Sequence, residues 1–320
     1  MNSSKFFFMT FMIVGVMMCY SSNNWILIWC GLEITLISFL PMMLSKLILS
    51  SESMMKYFLI QSASSSILIM GLMMMMFDMQ MNNFIVTMAL MLKTGIAPLH
   101  NWVLSMIEGM NYNSMMILMV LLKLPPLIIL SYLNSSMVMI VMTSLLLGST
   151  LGLNQNSTRK LIVYSSIFNL GMIISAMNFN LTWMSFFVIY SSLLTSLISI
   201  MKKLSINYIN QITFNENSMM YNMTMWFILL SMGGMPPMMG FSAKLIIIQN
   251  MIFQELYLIT FVMIMSSLMV MFFYNRMMFI SISMFSLKNK YSNYSNLNSS
   301  MVMTIINLMI LPMTLMLKSF

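Results

Sequence analysis

Four ionisable side chains lie deep inside apolar stretches of this sequence, where charged residues are rarely found. They are Glu33, Lys93, Lys123 and Lys244. At about 1.5 Å per residue, the first three lie about 12 to 17 Å into segments long enough to cross a membrane as helices. A charge at that depth costs about 2.5 to 3.5 kcal/mol, so such residues usually have a function. Lysines whose charge changes with their surroundings could carry protons.

The composition of the chain is that of a membrane protein. Of its 320 residues, 60% are hydrophobic and 6% are charged, whereas soluble domains carry about 25% charged residues. Apolar runs of about 17 residues or more recur along the chain, and each can cross a bilayer as a helix. Membrane barrels need alternating polar and apolar residues, which these continuous runs lack. The sequence therefore predicts an all-α polytopic membrane protein.

Polar clusters divide the chain into about eleven predicted transmembrane helices. Their approximate ranges are residues 5–20, 25–44, 56–77, 84–106, 112–132, 136–153, 160–176, 182–201, 222–253, 256–276 and 300–318. With this odd number of spans, one side of the membrane holds Lys318 and the side of the N-terminus holds Lys5, Lys46, Lys56, Arg159, Lys160, Lys202, Lys203, Arg276, Lys288 and Lys290. The positive-inside rule then places the N-terminus in the compartment where the chain is made.

Glycine and proline interrupt two of these spans. Gly95 and Pro98 follow Lys93 in the fourth span, with His100 just beyond, and residues 233–240 interrupt the ninth span before its lysine. Because proline lacks a backbone donor and clashes with the preceding turn, both segments are predicted to be broken helices. The freed carbonyl groups need protein or water as partners, so both breaks are expected to face a hydrated interior.

The two broken spans occupy the same place in two predicted units of five helices. One unit covers about residues 5–132, the second about residues 136–280, and a final helix about residues 300–318. Because five is odd, the second unit must be inserted upside down relative to the first. Paired broken helices in inverted repeats are typical of the ion pathway of a transporter.

Several of these residues also have purely structural interpretations. Lys56 is expected to be an interfacial anchor whose ammonium group reaches water, and it is also a candidate site of proton uptake. His100 is explained equally well as a hydrogen-bonded core histidine and as a proton relay. The interior lysines could form structural salt bridges, although the chain has too few interior carboxylates to pair all three. Cys19 and Cys30 are expected to be packing residues.

Short motifs follow one another along nearly the whole chain. They are Trp29-Cys30-Gly31-Leu32-Glu33, Lys56-Tyr57-Phe58-Leu59, LKTGIAPLHNW at 92–102, Lys123-Leu124-Pro125-Pro126, Gly152-Leu153-Asn154-Gln155, Arg159-Lys160-Leu161, Tyr164-Ser165-Ser166-Ile167 and GGMPPMMGF at 233–241. In this order and spacing they resemble the antiporter-like subunits of respiratory complex I. Among these, the chain resembles the family of subunit 2 of mitochondrial NADH:ubiquinone oxidoreductase in its animal, insect-like form.

The resemblance implies a proton-translocating subunit that couples quinone reduction to proton pumping across the mitochondrial inner membrane. It implies an eleven-helix form, with the N-terminus in the matrix and the C-terminus in the intermembrane space. The expected partners are the other subunits of complex I and phospholipids, including cardiolipin, and no nucleic acid. NADH, FMN, iron–sulfur clusters and ubiquinone would be bound by those other subunits.

The resemblance also implies that the four buried ionisable residues form a central hydrophilic axis. A buried lysine whose neighbours change can alternate between a charged and a neutral form. We therefore expect Glu33 to modulate the charge of Lys93. Lys123 would pass the proton laterally, and Lys244 would handle the terminal step at the second break.

Four positions depart from the family pattern. After the Ser-Ser-Ile motif, Asn169 and Met172 replace the histidine and tryptophan of many members, which puts a titratable relay at that point in question. Around the last lysine, Ala243 and Leu245 replace proline and tryptophan. The second helix break is therefore expected to be looser.

The chain carries no recognisable redox centre of its own. It lacks a G-x-G-x-x-G fingerprint, the cysteine clusters that bind iron–sulfur centres and a second histidine for haem. We expect it to bind no cofactor or metal and to be enzymatic only as a subunit of an NADH:ubiquinone reductase. Two other functions stay open: a stand-alone cation/proton antiporter, and a non-transporting scaffold whose interior charges only hold helices together.

Overall fold

The structure is a computed structural model that describes residues 3–45, 47–75, 82–133, 137–213 and 219–285. In these residues the elements are a short 3₁₀ helix, Ile209–Thr213, and the α-helices α1 (Ser3–Ser21), α2 (Trp25–Met43), α3 (Ile48–Met75), α4 (Asn82–Thr94), α5 (Asn101–Ile107), α6 (Tyr112–Val120), α7 (Leu124–Tyr132), α8 (Val138–Leu153), α9 (Thr158–Ser175), α10 (Asn180–Leu204), α11 (Met219–Gly233), α12 (Met239–Phe253) and α13 (Tyr257–Phe285). Lys46 and the predicted helix at 300–318 lie outside the described residues.

Helices suit a lipid environment because all their backbone hydrogen bonds are made within one segment. Among the described residues, six helical segments are long and apolar enough to cross a membrane, namely Ser3–Ser21, Trp25–Met43, Ile48–Met75, Tyr112–Tyr132, Leu181–Leu204 and Tyr257–Ser283. Shorter apolar helices cover Asn83–Thr94, Val138–Leu153 and Met239–Phe253. The predicted class, a helical polytopic membrane protein, is confirmed. The count of eleven spans stays a prediction.

Two helices are longer than the sequence predicted. α3 begins at Ile48 instead of near residue 56, and α13 ends at Phe285 instead of near residue 276. The predicted ends were wrong because polar residues mark the edge of the apolar region, and a helix does not have to stop there. In the first turns of α3, Glu52 pairs with Lys56 at 2.5 Å, and this four-residue spacing supports a helix.

The chain divides into two compact units between Met137 and Val138. In the first unit, α1 packs on α2 through small residues. A Cβ atom added to Gly31 would lie 2.6 Å from the Cys19 Sγ atom and 2.9 Å from the Gly15 carbonyl oxygen. Small residues let two helices approach closely, and such packing contributes strongly to helix association in lipid.

In the second unit, α8 makes close contacts with both α9 and α13. A Cβ atom added to Gly148 would lie 2.7 Å from the Phe168 amide nitrogen of α9. The Arg276 guanidinium of α13 donates hydrogen bonds of 2.8 Å to the carbonyl oxygens of Leu153 and Gln155, at the end of α8. The cation thereby satisfies carbonyl groups that a helix end leaves without partners.

Serine and threonine hydroxyls in the helices find acceptors on their own helix. Ser64 donates to the Gln61 carbonyl and Ser196 to the Leu193 carbonyl, each at 2.7 Å, and the same three-residue pattern recurs at many other positions. Such a hydroxyl can lie in apolar surroundings at little cost because its donor is satisfied locally. A buried lysine needs partners that only the folded helices can provide.

Replacing Gly31 by Ala should push α1 away from α2. The added methyl group would overlap its neighbours, and overpacking of this kind costs about 1 to 3 kcal/mol. We expect a lower denaturation temperature of the protein in native membranes. Gly233→Ala is the matched control, because its methyl group would meet its nearest atom, the Met271 Cα, at an ordinary 3.5 Å. Equal denaturation temperatures for the two variants would contradict the close packing.

Candidate functional site

The first helix break follows Lys93 at the end of α4. Gly95 has a φ of +70°, a conformation that glycine adopts without strain. The amides of Gly95 and Ile96 both donate to the Met91 carbonyl, at 2.9 and 3.3 Å, and these bonds close the helix. The span resumes with α5, so the helix is interrupted where the sequence predicted a break.

Lys93 lies in the last turn of α4 and is only 8% exposed. A cation at this end of a helix is stabilised by the partial negative charge of the final carbonyl groups. Its carbonyl oxygen accepts a hydrogen bond of 3.2 Å from the Gln61 side chain of α3. Among the described residues, the Lys93 ammonium group makes no ion pair. Any described carboxylate near its ammonium group therefore lies more than 4.0 Å away.

Glu33, on α2, is the carboxylate near Lys93. Its Oε1 atom is buried without a hydrogen-bond partner in the part of the chain that the structure describes. The two side chains are close enough to interact electrostatically, yet no N···O contact within 4.0 Å joins them. The structure therefore brings the two side chains near each other without a direct ion pair.

Lys93 and Lys123 line the same cavity. Its volume is about 20 Å³, counted as the space open to the centre of a water molecule, which is room for about one water. The other residues that line it are Leu32, Thr35, Leu36, Tyr57, Gln61, Thr94, Trp102, Leu118, Leu122 and Pro126. A water molecule in this space would lie beside both lysines.

A further interruption, which the sequence did not predict, lies at Lys123 between α6 and α7. The Leu122 amide donates to the Ile117 carbonyl, five residues earlier, at 3.2 Å. This wider turn precedes Pro125 and Pro126, which have no amide to offer the carbonyls of the preceding turn. Lys123 is 4% exposed, so it lies buried where the regular helix is interrupted.

The second break, after α11, repeats the hydrogen bonds of the first. Gly234 has a φ of +86°. The amides of Gly234 and Met235 both donate to the Leu230 carbonyl, at 3.0 and 3.1 Å. At each break, a left-handed glycine and the residue after it both donate to one carbonyl group, and these bonds end the helix.

Lys244 lies on α12 and reaches back to the end of α11. Its Nζ atom donates to the carbonyl oxygens of Gly233 at 2.8 Å and Met232 at 3.1 Å. It also lies 5.5 Å from the centre of the Phe168 ring, within the range of a cation–π contact. Although Lys244 is only 7% exposed, its charge is balanced by the negative end of α11.

Lys244 lines a cavity of its own in the second unit. Its volume, measured in the same way, is about 20 Å³, again room for about one water. The other lining residues are Asn169, Phe186, Ile189, Tyr190, Leu193, Ser231, Met232, Gly240 and Ala243. Asn169, which departs from the family pattern, is therefore part of the surroundings of Lys244.

The two remaining candidates, His100 and Lys56, lie in different surroundings. His100 is 4% exposed and lies just before α5, with its Nδ1 atom 3.2 Å from the Pro98 carbonyl oxygen. Lys56 pairs with Glu52, and their side chains are 41% and 57% exposed. Lys56 is thus a surface residue apart from the buried lysines, whereas His100 belongs to the first break.

Sequence reasoning missed the polar residues that complete the cavities. Tyr57 and Gln61 line the first cavity, and Tyr190 lines the second. Tyr57 stood within a recognised motif, but nothing in the order of residues indicates which face of a span meets a lysine. Among the described residues, no group of three His, Cys, Asp or Glu side chains is placed to hold a metal ion.

Buried lysines at the ends of broken helices, in a helical membrane protein, define an antiporter-like membrane protein. Residues 22–271 match the model of the NADH:quinone oxidoreductase/Mrp antiporter transmembrane family. The chain belongs to this family.

Named relatives agree with this assignment, and a solved structure has a similar fold. The chain is 37% identical over 313 residues to NADH-ubiquinone oxidoreductase chain 2 of Anopheles gambiae, covering 92% of this chain and 90% of the relative. Its identity to the Aedes aegypti protein of the same name is 34% over 320 residues, covering 94% and 93%. Its fold matches a chain of respiratory complex I from Thermus thermophilus with a TM-score of 0.84 and 13% identity, over 97% of this chain and 79% of that one.

Replacing Gly234 by Ala should disturb the lysine as well as the backbone. The new Cβ atom would lie 3.0 Å from the Lys244 Nζ atom, and a left-handed conformation costs a residue with a side chain about 1 to 2 kcal/mol. We expect reduced proton translocation by membrane vesicles. Ala63→Gly, on an exposed face of α3, is the control, because it costs about 1 kcal/mol without touching a lysine. Equal translocation by both variants would argue against this contact.

Proposed function

We propose that this chain is the proton-translocating membrane subunit, of the chain 2 type, of a mitochondrial NADH:ubiquinone oxidoreductase. The family match and two insect relatives with that name, aligned along at least 90% of their length, support the proposal. As a multi-pass protein of the inner membrane, it couples quinone reduction in other subunits to proton movement.

The observation that favours a pump over a scaffold is the arrangement of Glu33 and Lys93. A charge that only holds helices together needs a fixed partner, because a buried charge without one destabilises the fold. Here the carboxylate acts on the lysine without contacting it, and the lysine faces a cavity with room for about one water. Such an arrangement allows the lysine to exchange its proton.

In the proposed cycle, the charge of Lys93 follows the charge of Glu33. Burial disfavours the charged form of a lysine, whereas a nearby carboxylate favours it. When Glu33 is neutralised, Lys93 releases its proton into the shared cavity, where Lys123 takes it up and passes it on laterally. His100 is a candidate relay beside the first break.

Lys244 carries out the terminal step, and its charge also affects the helix break. While charged, it donates strong hydrogen bonds to the carbonyls at the end of α11. A neutral amine donates weaker bonds, so loss of the proton loosens the link between α11 and α12. Proton release is thereby coupled to a movement of the two half-helices.

The proposed architecture is two inverted units of five helices and one further helix, eleven spans in all. The hydrogen bonds that Gly95 and Gly234 have in common support an internal repeat. The predicted distribution of basic residues puts the N-terminus in the matrix and the C-terminus in the intermembrane space. Lys56, exposed and paired with Glu52, serves as an interfacial anchor, with proton uptake as its second candidate role.

The subunit works within a larger assembly. Its proposed partners are other subunits of complex I, which bind NADH, FMN, iron–sulfur clusters and ubiquinone, together with phospholipids such as cardiolipin. The redox chemistry takes place in those partners, and this chain contributes the movement of protons.

Replacing Lys93 or Lys244 by Met should stop proton movement while leaving assembly intact. Methionine keeps a long apolar side chain but cannot hold a proton. We expect coupled NADH:quinone turnover and proton pumping by the reconstituted complex to fall about tenfold or more, which corresponds to about 1.4 kcal/mol or more in barrier.

The matched control is Lys202→Met, which removes an exposed lysine in the last turn of α10. It should pump like the unmodified complex. Normal pumping by both buried-lysine variants would refute the proposed roles and favour the scaffold.

A stand-alone cation/proton antiporter is the second candidate function. The fold also matches a chain of the Mrp complex from Dietzia sp. DQ12-45-1b, with a TM-score of 0.70 and 13% identity over 83% of this chain and 58% of that one. Native electrophoresis of mild detergent extracts separates the two possibilities. We expect this chain to migrate with a complex many times its own mass of 36.9 kDa, whereas a small oligomer would support the antiporter.

A further inference from the structure

Two buried tyrosines in the second unit lack the partners that a buried hydroxyl normally has. Tyr190 on α10 is 4% exposed and Tyr274 on α13 is 1% exposed. Neither hydroxyl makes a hydrogen bond of standard geometry within the described residues. A buried hydroxyl without a well-placed partner destabilises a fold, so each such group calls for an explanation.

The two tyrosines belong to a cluster of polar side chains that extends along α9. Tyr190 lies close to Ser166, Asn169 and Tyr274, and Tyr274 lies close to Ser165. The cluster is surrounded by the apolar residues of α9, α10 and α13, and each of its members is at most 4% exposed. A row of five polar groups in such surroundings is not explained by packing alone.

The serines of this cluster are oriented to accept hydrogen bonds. The hydroxyl hydrogens of Ser165 and Ser166 are donated to the Ile162 and Val163 carbonyls, at 2.8 and 2.7 Å. A serine oxygen can accept a hydrogen bond while its own hydrogen is donated, and a tyrosine hydroxyl can supply that bond. The local bonds of α9 therefore leave acceptors on the side of the tyrosines.

The cluster ends at the cavity of Lys244. Asn169 and Tyr190 line that cavity together with the lysine. The cavity has room for about one water, which would connect the Tyr190 hydroxyl with the ammonium group. Polar groups thus follow one another from Ser165 to Lys244 within the second unit.

We propose that Tyr190 and Tyr274 form a hydroxyl relay that exchanges protons with Lys244. To charge the Lys244 amine, Tyr190 gives its hydrogen through a water in the cavity and takes one from Tyr274. Tyr274 in turn takes one from a hydronium ion on its other side, which is left as water, and release runs the same steps backwards. Both tyrosines start and end neutral, and the net result is the transfer of one proton between that water and the amine. No oxidant is needed.

This relay rests on the proposed function and adds to it a path for protons to the terminal lysine. A packing role for the same rings is the rival explanation, since the rings of Phe273 and Tyr274 lie 4.7 Å apart. Replacing tyrosine by phenylalanine distinguishes the two, because the ring is kept and only the hydroxyl is lost.

The test compares Tyr190→Phe and Tyr274→Phe with Tyr257→Phe in the complete, reconstituted complex. Tyr257 is on the same helix as Tyr274 but is 65% exposed, so it provides the matched control. We expect the two buried variants to pump about tenfold more slowly or worse, and their turnover to slow more in D₂O than that of the control. Reduction of a water-soluble electron acceptor by NADH should be unchanged.

Ser165→Ala provides a second test that leaves both rings in place. It removes an acceptor beside Tyr274 and should slow pumping in the same direction. Pumping at the control rate, with the control's response to D₂O, by all three variants would overturn the relay. If Lys244→Met still stops pumping in that case, the proposed function stands without the relay; if Lys244→Met pumps normally as well, the proposed function itself fails.

Discussion

An apolar membrane interior supplies no hydrogen bonds, and this constraint accounts for where the buried lysines lie. A helix that breaks inside such a layer leaves carbonyl oxygens without partners, and a buried ammonium group leaves donors without acceptors. Lys244 donates to the Met232 and Gly233 carbonyls at the end of α11, so the ammonium group and the carbonyl groups satisfy each other. Lys93 occupies the corresponding end of α4. The cation and the break stabilise each other.

The choice between arginine and lysine follows from the same reasoning. Arg276 also satisfies carbonyl groups at a helix end, with two hydrogen bonds of 2.8 Å, but a guanidinium group keeps its charge under all ordinary conditions. Arg276 therefore links α8 and α13 permanently. At the two breaks the cation is lysine, which can lose its proton when it is buried. Hydrogen bonds that weaken when the lysine loses its proton allow the helices to move during pumping.

Local features of the chain were predicted well because each depends on a short stretch of residues. Apolar length predicts a membrane helix, and glycine followed by proline predicts a break, as at Gly95 and Pro98. Polarity was a poor guide to helix ends, since α3 continues through Glu52 and Lys56. The interruption at Lys123 was missed although the prolines that follow it were visible.

The sequence by itself determined the class of protein and the two breaks, and it singled out three lysines that the structure shows to be buried. Only the tertiary structure decided what surrounds each charge: the separation of Glu33 from Lys93, the reach of Lys244 back to α11, and the tyrosines that line the cavities. The reason is physical. Whether a polar group in a helix faces lipid, a cavity or a lysine depends on which neighbouring helix covers that side, and this is set by contacts between residues far apart in the chain.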